Sequence, residues 1–156
     1  MNSLQQLHAL CVGKDVSIAT AESCTAGLLA ARITSIAGAS SFFKGGIIAY
    51  QNDIKFNVLN VSQSVIEEKT AVSSEVSEQM AVGVRDKLSA DFSIATTGYA
   101  GPSGGTELNP LGTIFIAVSS KEKTISRRFV FTGDRESVVN QAIIHGIDFL
   151  VEELKN

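Results

Sequence analysis

Cysteine, proline and histidine each occur only twice in the 156 residues. Two thiols, Cys11 and Cys24, give no disulfide framework and fit a reducing compartment. No apolar run approaches the roughly 20 residues that span a bilayer. The N-terminus lacks a basic start followed by a hydrophobic stretch, so no signal peptide is expected. These features point to a cytoplasmic protein without a membrane partner. No run of Lys or Arg exceeds Arg127-Arg128, and the net charge is -3, so no nucleic-acid partner is expected. A small anionic ligand remains open, because a few local donors suffice for one. There is no His-x-x-x-His, no cysteine pair at ligand spacing and no calcium-type acidic loop, so neither a metal nor another cofactor is expected. The glycine-rich segment lacks the Gly-Lys-Ser/Thr ending of a triphosphate loop, and it does not fit the dinucleotide fingerprint.

Apolar residues make up 44% of the chain, enough for one domain, residues 1–156, with one core. Leu4, Leu7, Leu10 and Cys11 recur at helical spacing, and Gly13 is placed to end that helix in a left-handed conformation. Val16 to Thr20 reads as a strand, Ala21 to Thr25 as a turn. The next helix carries Leu28, Leu29, Ile33 and Ile36 on its inner face. Phe42 to Tyr50 reads as a strand, and Asn52 or Asp53 as the cap of a short helix through Leu59. Ser73 caps a longer helix, with Glu75 near its positive end and Val76, Met80, Val84 and Leu88 on one stripe. Asp91 to Thr97 is another strand. Gly98 to Gly112 is a loop holding both prolines. Thr113 to Ser119 and Thr124 to Phe131 form a hairpin. A last helix follows Asp134, with Ile143, Ile147, Leu150 and Leu154 inward. Strands separated by helices predict an α/β fold with a mostly parallel mixed sheet covered on both faces.

The tetrapeptide Ser-Ile-Ala-Thr occurs at Ser17 to Thr20 and again at Ser93 to Thr96. Each copy lies on an expected strand, and each is followed by small residues: Ala21 to Gly27, and Thr97 to Gly105. Loops after parallel strands gather at one sheet edge, where ligands bind. Two such loops side by side would expose backbone N–H groups, with the positive end of the helix after Ser23 aimed into the pocket.

Within these loops Ser23 is either a helix cap or a nucleophile, and a nucleophile needs a base. His8 and His145 lie in terminal helical patterns, which supports a Ser-His-Asp triad poorly. Lys55 is either a solvated lysine or, if buried and neutral, the base. Cys24 is an alternative nucleophile or a small buried thiol. Arg135, in the first turn of the last helix, sits against the dipole there, which suggests a phosphate or carboxylate partner beside the plainer surface role.

The chain resembles the C-terminal domain of the competence/damage-inducible protein CinA, a family that includes stand-alone nicotinamide-nucleotide amidases. The resemblance is carried in order by Thr20 to Thr25, Gly45-Gly46 through Tyr50, Asn52 and Lys55, and Ala71-Val72-Ser73. It continues through Thr97-Gly98, Ala100-Gly101-Pro102, Gly104-Gly105-Thr106, Pro110 to Thr113, and Phe131 to Arg135. It implies a three-layer α/β/α fold and metal-free hydrolysis of nicotinamide mononucleotide to nicotinate mononucleotide and ammonia. It also implies Ser23 as nucleophile, Lys55 as base, Tyr50 and Thr97 close by, and Arg135 toward the substrate end. The expected substrate-binding set is Thr25, Gly98, Tyr99, Ala100, Gly101, Gly104, Gly105 and Arg135. A homo-oligomer is implied, as is an N-terminal domain in CinA itself for which these residues leave no room. Two positions depart from the pattern: Ala26 where glycine is usual, and Tyr99 where an aliphatic residue is usual. Tyr99 lies in the expected pocket, where it either stacks on the nicotinamide ring or obstructs it. The obstructing case motivates a rival reading, a module that binds a pyridine nucleotide without turning it over. Hydrolysis of another small amide is a third.

Overall fold

A computed structural model describes residues 1–156. One five-stranded sheet has the order β2-β1-β3-β4-β5. Its strands are β1 (Ile18–Glu22), β2 (Phe43–Ile48), β3 (Phe92–Gly98), β4 (Thr113–Ser120) and β5 (Thr124–Val130). β1 pairs in parallel with β2 and β3, and β4 runs antiparallel to β3 and β5. Every strand but β4 therefore points the same way, as the mostly parallel reading requires. The helices are α1 (Ser3–Lys14), α2 (Leu28–Ile33), α3 (Asn52–Leu59), α4 (Gln63–Lys69), α5 (Ser74–Lys87) and α6 (Arg135–Lys155).

Strand alternation divides the core into two layers. Ile18, Ile94, Ile114, Ile116 and Val118 join Leu7, Leu29, Ile143 and Leu150 on the α1/α2/α6 side. Ala19, Ala21, Ala95 and Ala117 join Leu59, Val76, Met80 and Val84 on the α3/α4/α5 side. The small alanines let α5 lie close to the sheet. Gly83 of α5 does the same for α3, since a Cβ there would stand 2.0 Å from the Leu59 carbonyl oxygen. That approach fixes α3 and, with it, Lys55.

The caps of α5 and α6 form as expected. Ser73 accepts from the Val76 N–H and Asp134 from the Ser137 N–H. Several expectations are corrected. Asp15, at φ 54°, closes α1, and Gly13 stays inside the helix. Leu28 is 54% exposed, because α2 is short and begins only there. Gln51 occupies the N-cap position of α3 in place of Asn52 or Asp53. The helix α4, capped by Ser62, was not expected. The tetrapeptide echo is two residues out of register, with Ile18 opposite Phe92 and Thr20 opposite Ile94. Ala21 and Glu22 consequently remain in β1, and the turn starts at Ser23.

Candidate active site

From β1 the chain moves to β2 on one side, then crosses back to β3 on the other. The loops after β1 and β3 leave in opposite directions, which opens a crevice beyond the strand ends. Ser23 follows β1 directly. Its N–H donates to the Thr96 carbonyl (3.0 Å), so it continues the ladder and faces the α3/α5 side. The Ala49 N–H donates to the Glu22 carbonyl (2.8 Å), which draws Tyr50 alongside Ser23. Gln51 then starts α3, whose first turns bring Lys55 over the crevice. Helical side chains lean toward the helix N-terminus, and here that direction leads to Ser23.

Lys55 Nζ donates to Ser23 Oγ (2.9 Å) and to the Tyr50 carbonyl (2.9 Å). The Ser23 hydroxyl lies 3.5 Å from that same carbonyl. Lys55 is 1% exposed and Ser23 8%. None of the ion pairs in the molecule involves Lys55. An unpaired buried ammonium near the positive end of a helix is disfavoured twice, by lost hydration and by the dipole. Burial lowers the amine from 10.5 to about 8. The neighbouring thiol does not offset this, because burial pushes Cys24 up to about 11 and it stays protonated and uncharged near neutral pH. That value also argues against Cys24 as the nucleophile.

Ser23 and Lys55 open onto a cavity of about 190 Å³ that Cys24, Tyr50, Asn52, Ala71, Val72, Thr97, Gly98, Ala100 and Arg135 complete. Thr97 is 1% exposed and donates to the Ala71 carbonyl (2.8 Å), so it braces the wall opposite β1. Gly98 has no room for a side chain, as a Cβ would lie 2.6 Å from the Thr113 carbonyl oxygen. At the mouth, Arg135 donates to the Gly101 carbonyl (2.7 Å) and to the Tyr50 hydroxyl (2.9 Å). A larger hollow of about 470 Å³ between the end of α3 and α5 is lined by Asn60, Glu78, Gln79, Asp86 and Lys87 among others. It holds no nucleophile paired with a base.

Five expected positions do not line the cavity. The Tyr99 N–H and carbonyl pair with Thr113 and Gly112, and its ring lies over Gly104, where a Cβ would be 3.1 Å from Cδ1. It therefore neither stacks in the cavity nor obstructs it. Gly104 and Gly105, at φ 97° and 86°, serve the turn of the loop. Gly101 contributes the carbonyl that holds Arg135. The Thr25 hydroxyl turns to Glu22 and Thr96 instead. The positive end of α2 is likewise not open to a ligand, because the Glu22 carboxylate accepts from the Gly27, Leu29 and Ala30 N–H groups. The N–H groups of Cys24 and Thr25 donate to no other residue. His8 packs against Phe42, and His145 against Phe129 and Phe131, both on the α1/α6 side and away from Ser23. Sequence reasoning did not select Asn52, Ala71 or Val72 for the cavity, although all three lie in the matched stretches. It also passed over Glu22, whose signal was a lone acid at the end of an apolar strand.

A family model for the CinA C-terminal domain matches residues 2–154. The CinA-like protein of Flavobacterium psychrophilum is 41% identical over 151 residues, covering 96% of this chain and 36% of that protein. The CinA-like protein of Geotalea daltonii is 43% identical over 138 residues, covering 88% and 33%. The chain thus spans about a third of the length of these relatives. Among solved structures, a CinA superfamily protein from Enterobacter cloacae superposes with a TM-score of 0.94 at 33% identity, covering 97% of this chain and 90% of that one. A CinA superfamily protein from Klebsiella pneumoniae gives 0.93 at 33%, covering 99% of both.

Proposed function

Because the chain belongs to the CinA C-terminal domain family, we propose that it hydrolyses the carboxamide of nicotinamide mononucleotide to nicotinate mononucleotide and ammonia. The observation that carries this reading is the 2.9 Å contact between the Lys55 amine and the Ser23 hydroxyl in a buried pocket without a counter-ion.

The neutral Lys55 amine takes the Ser23 proton as Oγ bonds to the carboxamide carbon. The N–H of Cys24, which lines the cavity and donates to no other residue, is suited to the oxyanion that develops, at a few kcal/mol. The carbon–nitrogen bond then breaks, and the departing nitrogen takes the proton from Lys55 and leaves as ammonia. Water attacks the resulting ester, Lys55 accepts its proton and returns it to Oγ, and the acid is released. Protons and charge balance over the cycle.

The cavity, about 190 Å³, is smaller than the roughly 300 Å³ typical of a site for a drug-sized ligand. It suits one ring. The ribose phosphate would then lie across the mouth, where the Arg135 guanidinium can pair with the phosphate. The non-catalytic reading loses its motive, since it rested on Tyr99 lying in the pocket and that ring packs over Gly104.

Ammonia release is to be measured with nicotinamide mononucleotide, its dephosphorylated riboside and free nicotinamide. The expected result is turnover of the mononucleotide, with kcat/KM at least about tenfold lower for the riboside, and a preference that weakens with salt because Arg135 is exposed. No ammonia from the mononucleotide rules this substrate out. Equal or better turnover of the phosphate-free amides moves the reading to another small amide.

A further inference from the structure

One buried acid takes no part in the proton transfers above. Glu22 is 1% exposed and ends β1. Strand alternation sends its side chain to the face opposite Ser23, under α2. No Lys or Arg meets it. A carboxylate so placed is costly unless hydrogen bonds replace its water. Four donors do so: Thr25 Oγ1 at 2.6 Å and the N–H groups of Gly27 at 3.1 Å, Leu29 at 2.9 Å and Ala30 at 3.0 Å. The Thr25 hydroxyl also meets Thr96 Oγ1 (2.9 Å), which ties the same cluster to β3.

These bonds bracket the turn from Ser23 to Gly27, and that turn is not in a relaxed conformation. Ala26 has φ 49° and Gly27 φ 95°. A left-handed alanine crowds its Cβ against the following carbonyl, so something must hold it. Glu22 grips the turn on both sides of Ala26, through Thr25 and Gly27. The Cys24 N–H, which donates to no other residue, lies inside this bracket, directly after the nucleophile.

We propose that Glu22 is a positioning residue for the reaction. From the far side of β1 it fixes the Ser23–Gly27 turn so that Oγ and the Cys24 N–H face one reacting carbonyl. The inference rests on the reading of Ser23 as nucleophile. It differs from simple capping of α2, which would affect stability and leave the rate per folded molecule unchanged.

The test uses Glu22→Gln, which keeps the side-chain shape but sets an amide NH₂ against backbone donors, and Thr25→Val, which removes one of the four bonds. Circular dichroism gives the folded fraction. With the mononucleotide, Glu22→Gln is expected to lower kcat per folded molecule about 100-fold, the scale of losing one oxyanion donor. KM should stay within about twofold and the midpoint of the pH–rate profile should not move. Thr25→Val should show the same pattern at about fivefold, and it decides the matter if Glu22→Gln does not fold. A second readout needs no substrate: the rate at which a fluorophosphonate labels Ser23, with Ser23→Ala as blank. It should fall at least tenfold in Glu22→Gln. A parent that labels but does not turn over the mononucleotide defeats the proposed substrate and leaves this inference standing on the labelling ratio. Variants that label and turn over within twofold of the parent overturn it, and so does a parent whose Ser23 is not labelled.

Discussion

Ser23→Ala should abolish ammonia release, and Lys55→Met should lower it by about 10²–10⁴-fold, the range a positioned general base contributes. The alanine variant has no oxygen to form the ester, so only background hydrolysis remains. The methionine variant keeps the hydroxyl and fills the same space, yet leaves no group within reach to take the proton. The Tyr50 carbonyl, also near Oγ, cannot serve as that base, because an amide oxygen is far too weakly basic to take a serine proton. Lys55→Arg should not restore the rate, because a guanidinium stays charged at every accessible pH. The double variant should be no slower than Ser23→Ala, since the two residues act as one unit. Single-turnover assays on folded protein, with mass spectrometry for an ester on Ser23, would check each statement. Parent-like ammonia release by either single variant would end the Ser–Lys scheme.

Much of this site was legible in the residues, and the gaps have physical causes. The repeated Ser-Ile-Ala-Thr pointed to β1 and β3 as neighbours with loops at one edge, and they are neighbours. Their two-residue offset was not legible, because register is set by which side chains fill each layer and an echo of four residues does not encode that. Ser73 and Asp134 were readable as caps because their side chains compete for local N–H groups. The helix α4 was hidden, since only Val65 and Ile66 interrupt its polar run and no stripe emerges. Tyr99 was misplaced because the β3–β4 pairing persists one residue beyond Gly98 and the ring then packs over the turn at Gly104, a contact that no local pattern encodes. The burial of Lys55 could not be read locally either. It depends on Gly83, 28 positions along the chain (83 − 55), letting α5 approach α3.

The same burial should make the parent less stable than Lys55→Met at neutral pH. Lys55 titrates near 8 in the folded chain and near 10.5 when free. The folded state therefore binds this proton more weakly than the unfolded state. Below pH 8 both states hold it, and folding carries the whole cost of burying the charge. That cost is about 2.5 pH units (10.5 − 8) at roughly 1.4 kcal/mol each, or about 3 kcal/mol. Between pH 8 and 10.5 the unfolded chain alone stays protonated, so the stability of the parent rises with pH across that window. Above it the cost is gone. Methionine carries no charge to bury, but it leaves the Tyr50 carbonyl and the Ser23 hydroxyl without their donor, which returns about 1 kcal/mol or more. Urea unfolding at pH 7 should then show Lys55→Met more stable by about 1–2 kcal/mol, with the advantage lost by pH 10.5. Activity of the parent should follow the opposite partner of the same equilibrium, rising with the neutral amine to a midpoint near pH 8. A methionine variant that is less stable than the parent at pH 7, or a gap that does not change with pH, would mean that folding does not depress the amine, which then stays charged at neutral pH and cannot act as the base.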